Sequence, residues 1–219
     1  WDSRATGLGA WSLSIHHVYD PVGRVLYLGD GRRESASGLV PIITTLAGAI
    51  EEGWEGDGGP ATQARLYRPV GLAVAPEGSV FIADQFNQRV RRVAPDGTIS
   101  TVAGTGWRGF NGDGIPATEA QLYNPRGVAL DPDGSLYIAE DYRIRRVAPD
   151  GIITTFAGTG EFCPHPGNCG DEGPATEATL NPSSYGGLGV STDGSVYVSD
   201  GSTRIRKIDS NGIISSVIG

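Results

Sequence analysis

The sequence predicts an all-β fold, a β-propeller of four-stranded antiparallel blades, on three observations. One stretch is written three times. Gly56-Asp57-Gly58-Gly59-Pro60-Ala61-Thr62 returns as Gly112-Asp113-Gly114-Ile115-Pro116-Ala117-Thr118 and as Gly170-Asp171-Glu172-Gly173-Pro174-Ala175-Thr176. Its aspartates stand 56 and 58 residues apart, a period that marks a repeat protein. Each copy is followed by a Leu (Leu66, Leu122, Leu180), a Pro-Gly turn, short apolar runs separated by turns, and an ending in Gly. The endings Gly48, Gly104, Gly158 and Gly219 define four units, at residues 11–48, 66–104, 122–158 and 183–219. The third observation is burial. A lone four-stranded sheet exposes two faces, and only stacking against neighbours covers both, which favours a propeller over a sandwich or a helical solenoid.

The second unit is the template. Residues 70–75 and 79–84 alternate β-branched, aromatic and small residues around the turn Pro76-Glu77-Gly78. Residues 88–93 and 98–102 flank Pro95-Asp96-Gly97, where Asp-Gly supplies the positive backbone dihedral of a tight hairpin. The third unit repeats this at 127–130, 135–140, 143–147 and 152–156, and the fourth at 188–190, 195–200, 204–208 and 213–217. In the first unit 13–18, 24–30 and 42–46 fill the first, second and fourth positions, and 32–39 reads as a degenerate third strand; terminal repeats are often atypical. Helix is confined to one turn at 60–64 and its copies, with Pro suited to the first helical position.

Length and composition set bounds. The 219 residues carry 34 Gly and 14 Pro at fixed offsets between apolar runs, so these punctuate turns in one continuous array rather than marking disorder. Net charge is −8, and the basic residues are spread through every unit, which argues against nucleic acid and against an anionic membrane surface. No run approaches the about 18 apolar residues of a bilayer-spanning helix, and no targeting signal is written in the chain. The only cysteines, Cys163 and Cys169, share one loop. A disulfide is the favoured reading, with free thiols and a metal site as alternatives, since zinc wants four ligands. A bridge over so short a loop would contribute only about 2 kcal/mol.

With these motifs in hand, the chain resembles the NHL repeats. The Gly-Asp-x-Gly-x-Ala-Thr loop, Asn124-Pro125-Arg126-Gly127, the Tyr-Ile-Ala-Glu/Asp strand and the Arg-Ile-Arg-Arg-Val strand carry the resemblance over residues 40–219. Residues 163–219, with Cys-x5-Cys-Gly-Asp and Ala175-Thr176-Glu177-Ala178-Thr179-Leu180-Asn181-Pro182, are similar to the NHL propeller of teneurins. Trp11-Ser12-Leu13-Ser14-Ile15-His16-His17 looks like the entry to that propeller in bacterial RHS/YD-repeat proteins. The resemblance implies an accessory module of a large extracellular or cell-surface polypeptide. Such propellers usually have six blades and four units are written here, which implies either a piece of a larger ring, with bare blade faces that drive self-association, or a small closed ring.

Four constellations bear on chemistry. The Gly-Asp-Gly loops suggest calcium, but each copy offers one aspartate, apart from the added Glu172, where a hard cation takes about six oxygens; they read as inter-blade turns with the following Leu plugging the core. An acid ends each second strand with an Arg shortly after: Asp30 with Arg32, Asp84 with Arg89, Glu140 or Asp141 with Arg143, Asp200 with Arg204. These read as structural ion pairs ahead of a catalytic or metal ring. His16, His17 and His165 make no metal triad, the first two pointing to opposite faces of one expected strand. Trp54, Trp107, Phe110 and Phe162 lie in Gly-rich loops outside the strands and are the candidate interaction residues, against the plainer reading that they pack onto a blade. The expected function is a non-catalytic scaffold or protein-interaction module, binding a protein partner or neighbouring domains, without cofactor or metal. The alternative is a metal-dependent propeller hydrolase or lyase with its site at the central channel, built on Asp30, Asp84, Asp200 or the histidines.

Overall fold

A computed structural model describes residues 43–162, 169–181, 187–201 and 204–218, together with the backbone of four short strands nearer the N-terminus. These four are β1 (Val18–Tyr19), β2 (Val25–Tyr27), β3 (Arg33–Ser35) and β4 (Gly38–Val40), and β5 follows at Thr44–Ala47. The second unit is β6 (Pro69–Val74), β7 (Val80–Asp84), β8 (Arg89–Val93) and β9 (Ile99–Ala103), paired in that order. The third is β10 (Ile115–Pro116), β11 (Gly127–Leu130), β12 (Leu136–Glu140), β13 (Arg143–Val147) and β14 (Ile152–Ala157), ordered β10-β14-β13-β12-β11. The fourth repeats that order with β15 (Gly173–Pro174), β16 (Leu188–Val190), β17 (Val196–Asp200), β18 (Arg204–Ile208) and β19 (Ile213–Ile218). The strand pairings within these three blades are antiparallel. In these three blades every four-strand expectation holds to within one residue at each end.

The short outer strands β10 and β15 were not expected from the sequence. They belong to the repeated Gly-Asp loop, which folds along the fourth strand of the blade it introduces: Ile115 pairs with Ile153, Gly173 with Ile214, and Pro60 bridges Thr98 in the second blade. The loop thereby covers an edge whose unpaired N–H and C=O groups would otherwise invite another chain. Prolines suit that outermost position, having no N–H to donate. Each loop then closes one 3-10 turn, Ala61–Gln63, Ala117–Glu119 and Ala175–Glu177, at the place where a helical turn is expected.

The first unit corrects the sequence reading. Strand β2 pairs directly with β5, and Val25 faces Ala47 across a bulge as Val90 faces Ala103 and Ile144 faces Ala157. By register, β2, which lies within the stretch expected as the second strand, holds the third position, and β1, which shares Val18 with the stretch expected as the first, holds the second. The stretch expected as a degenerate third strand is the separate hairpin β3-β4. Alternating hydrophobicity marks a strand but not its rank in a sheet, and without the Arg pattern of the other units the rank was misread.

The core lies in the seams between blades. One cluster joins Ala83, Val90 and Ala103 of the second blade to Val128, Leu136 and Ile138 of the third, and Ala117, Ala120 and Leu122 of the intervening loop fill the gap. The next seam repeats the arrangement with Ile144 and Ala157 against Val196 and Ile208 over Ala175, Ala178 and Leu180, and the seam before the second blade uses Ala61, Ala64 and Leu66. The first strands of successive blades lie side by side, so close that a side chain on Gly71 would collide with the carbonyl of Arg126. That Gly sits inside β6, within the stretch 70–75 expected as a strand. Leu122 is fully buried and Leu66 slightly less so. We expect Leu122→Ala to cost about 3 kcal/mol in urea denaturation and Leu66→Ala less, because the Leu122 cavity has nowhere to open.

Candidate functional site

The repeat carries one charge that water cannot reach. Arg91, Arg145 and Arg206, in the middle of the third strand of each blade, have wholly buried side chains. Each sits next to the blade's bulge, where the fourth strand carries an extra residue: Val102, Phe156 and Val217. A bulge re-aims the neighbouring side chains, and here the guanidinium reaches two carboxylates. One comes from the entering loop: Asp57, Asp113 and Asp171 lie 2.7, 2.9 and 2.8 Å from Arg91, Arg145 and Arg206. The other ends the second strand: Asp84 at 3.5 Å, Glu140 at 3.8 Å and Asp200 at 2.9 Å. The inner acid also accepts a backbone N–H from the residue after the core Leu, at Tyr67, Tyr123 and Asn181.

This alters the expected ion pairs. The acids at the strand ends are paired as anticipated, but with the arginine two residues further on, and the repeat aspartate, expected only to shape a turn, is its second partner. Arg89 and Arg143 instead donate to the carbonyls of Thr105 and Thr159 at 3.0 and 2.8 Å. The signal was present in the sequence as Arg-x-Arg at period two, which puts both residues on one face. The second Gly of Gly-Thr-Gly follows from the same geometry: a side chain at Gly106 would strike the Arg89 guanidinium at 2.7 Å.

Burial dominates the electrostatics of the inner acids. It raises the Asp84 carboxyl from 3.8 to about 6, partly offset by hydrogen bonds from Asn87 and Tyr67 and by the charge of Arg91. It raises Glu140 from 4.5 to about 8, against the opposing charge of Arg145. Glu140 Oε1 and Arg145 Nη1 face one another without a hydrogen bond, and the longer acid seats less well than Asp200, whose Oδ2 accepts from Arg206 at 2.9 Å. Such buried, paired carboxyls are poorly placed to hold a metal. Among the described residues no three His, Cys, Asp or Glu side chains converge on a metal-sized site, while Asp30, His16, His17 and His165 lie outside the described residues.

The loop aromatics divide into two kinds. Trp54 and Phe110 hold equivalent places three residues before the repeat aspartate and lie over Arg89 and Arg143, at 5.0 and 4.1 Å from guanidinium to ring centroid. They pack onto their blade. Trp107 and Phe162 lie over neither cation, and at 73% and 54% exposure they carry most of their surface into solvent, as Trp54 also does at 58%. In the fourth blade the equivalent cation, Arg204, donates to Cys169 Sγ at 3.4 Å, so sulfur replaces the ring. Cys169 is disulfide-bonded, and Cys163 lies outside the described residues.

The propeller's two ends differ. One end collects the hairpin tips, where Asp96, Asp133 and Asp150 accept backbone N–H bonds from their own turns at 2.9, 2.7 and 3.1 Å. Those bonds hold Asp96 and Asp133 below the usual carboxylate range, and the Ser191 hydroxyl with the turn's N–H groups brings Asp193 down to about 2. The opposite end collects the loops between blades, the connections from second to third strands, and the candidate aromatics Trp54, Trp107, Phe110 and Phe162.

Seam-filling Ala-Thr loops, an Arg-rich third strand and antiparallel blades of this order define a propeller of NHL repeats. A model of the Teneurin NHL domain matches residues 47–109, 107–163 and 156–219, and the chain belongs to that family. It is 34% identical to Teneurin-1 of Mus musculus over 230 residues, covering 98% of this chain and 8% of the relative, and 34% identical to Teneurin-m of Drosophila melanogaster, covering 100% and 8%. The chain thus spans a small part of those relatives' length. Among solved structures it resembles a protein of unknown function from Bacteroides thetaiotaomicron (TM-score 0.53, 23% identity, 73% of this chain and 37% of that one). It also resembles a gluconolactonase from Xanthomonas campestris (TM-score 0.50, 20% identity, 91% and 60%). These two likenesses show the propeller fold alone.

Two outcomes follow for the buried charges. Arg145→Met strands Glu140 and should cost about 3 kcal/mol by denaturant titration. A carboxyl whose folded pKa lies above its ordinary value takes up a proton on folding, so its contribution to stability is fullest below pH 4.5 and is lost as pH rises to about 8. The melting temperature of the native protein relative to Glu140→Gln should therefore fall across that window; a constant difference would refute the shift.

Proposed function

We propose that the chain is a non-catalytic NHL propeller serving as a rigid scaffold and protein-interaction module in an extracellular or cell-surface, teneurin-like RHS/YD-repeat protein. One observation carries the reading: the acids that recur at the strand ends, the groups on which a catalytic ring would be built, are spent in internal pairs with buried arginines, while the loops present aromatic side chains to solvent. Function then rests on surface complementarity displayed by loops on a stiff frame, with no covalent step. Family membership supports the module, and no helix among the described residues is long and apolar enough to cross a membrane.

Elemental analysis of the purified protein tests the non-catalytic reading. No stoichiometric divalent ion is expected, and a bound ion released by Asp84→Asn or Asp200→Asn would overturn the proposal in favour of a metal-dependent propeller enzyme. We also propose that Cys163 and Cys169 form the bridge; alkylation without reductant should leave the mass unchanged, and reduction should lower stability by about 2 kcal/mol.

A further inference from the structure

Two places before each repeat aspartate stands a residue that pins the loop, and the pin is different chemistry in each blade. In the second blade it is Glu55, whose carbonyl accepts the Arg65 N–H at 3.1 Å while its carboxylate pairs with the Arg65 side chain at 3.9 Å. In the third it is Asn111, whose side-chain oxygen accepts the Gln121 N–H at 2.7 Å and whose amide donates to the Glu119 carbonyl at 3.0 Å. In the fourth it is Cys169, whose carbonyl accepts the Thr179 N–H at 3.1 Å and whose sulfur belongs to a disulfide. Of the three, this pin alone is covalent, and this one alone opens by exchange of a bond.

Two cations of β18 face Cys169. The Arg204 guanidinium donates to its Sγ at 3.4 Å, and the Arg206 guanidinium donates to its carbonyl at 3.4 Å. Asp171, two residues further on, has its charge met by Arg206 at 2.8 Å and by the Ser216 hydroxyl at 2.7 Å. Cys169 is half-buried and Gly170 beside it is exposed, so small solutes reach the turn. The Cys169 backbone is left-handed, at φ 49°, which is uncommon for a residue with a side chain. A link to Cys163 spans only five intervening residues, so chain entropy protects it less than it would a long-range bridge.

Resting on the Cys163–Cys169 bridge proposed above, the structure assigns this cystine as an exchange site for small thiols, in which Cys169 is the sulfur that leaves. An incoming thiolate forms its S–S bond to Cys163, the Cys163–Cys169 bond breaks, and the electron pair departs on Cys169 as a thiolate. The guanidinium of Arg204, already aimed at that sulfur, receives the charge, and a leaving thiolate that is better stabilised departs faster. Attack by Cys169 on the mixed disulfide restores the bridge. Attack by a second small thiolate on its own kind's sulfur releases Cys163 and forms the external disulfide, so that two electrons pass from the thiol pair to the cystine. While the bridge is open the loop carrying Asp171 loses its covalent pin, and the outer partner of the buried Arg206 is less firmly held.

The test uses the full chain with 2-mercaptoethanol, a thiol without other charge, quenched with iodoacetamide and mapped by peptide mass spectrometry. The trapped intermediate should carry mercaptoethanol on Cys163 and the alkyl group on Cys169. Arg204→Met should slow the opening by about tenfold, Arg204→Lys should keep most of the native rate, and Arg143→Met, the equivalent cation of the third blade, should leave it unchanged. Amide hydrogen exchange over 204–208 should rise on opening, while 89–93 and 143–147 stay as they were. Melting temperatures confirm that the variants fold. The adduct on Cys169 with Cys163 alkylated, an opening rate indifferent to Arg204→Met, equal slowing by Arg204→Lys, or unchanged amide exchange over 204–208 would each overturn the assignment and leave the bridge standing. Two alkyl groups taken up before any thiol is added would remove the bridge itself, and the assignment with it.

Discussion

A guanidinium sealed from water is the constraint on which the blades depend. An unpaired charge in such a place would cost several kcal/mol, so Arg91, Arg145 and Arg206 are tolerable only while both carboxylates are seated. One of those carboxylates rides on the loop that arrives from the preceding blade. The loop is therefore held against its own blade's outer edge, and once held there its next residues have one place to go. Ala117, Ala120 and Leu122 drop into the seam, as do their copies, and it is this apolar burial that supplies the energy. The ion pair contributes geometry and the seam contributes stability; neither forms without the other.

The same loop solves the edge problem. A four-stranded blade ends on a strand with unpaired backbone groups, and the Gly-Asp loop pairs with it through β10, β15 and the Pro60 bridge before turning inward. One segment thus neutralises a buried cation, covers an edge and fills a seam, which explains why it is the most faithfully repeated part of the chain. Its side chains vary at Gly59, Ile115 and Gly173, where backbone pairing asks for no particular side chain, and the largest departure is the longer stretch between Gly158 and Asp171.

How much of this was legible in the sequence differs by element. The twelve strands of the second to fourth blades could be read because alternation, turn residues and a fixed period agree, and the seam Leu could be read because it recurs beyond the loop at a constant offset. The rank of the first unit's strands could not, since rank is a matter of pairing partners and Leu26 stands where the other blades carry the diagnostic Arg. The buried triads were half visible. Acid and arginine were paired by nearness in sequence, Asp84 with Arg89, when the bulge beside Arg91 brings the later residue across instead. The role of Asp57 depends on a contact 34 residues away, and no local pattern reports that.

The loop inserts show what the scaffold leaves open. Arg89, Arg143 and Arg204 are equivalent cations, and each is covered from the preceding loop by a different group: an indole from Trp54, a phenyl ring from Phe110, a disulfide sulfur from Cys169. What the position asks for is a polarisable surface against a guanidinium that already donates to backbone at Thr105 or Thr159, and several chemistries meet that need. A fold that fixes its seams through one loop segment and leaves the adjacent segment this tolerant can change what it displays to a partner without disturbing what holds it together. Phe162 sits in that tolerant segment against Tyr142, as Arg108 lies over Tyr123, and the absence of an aromatic at Asn181 shows that the display differs from blade to blade while the buried triads do not.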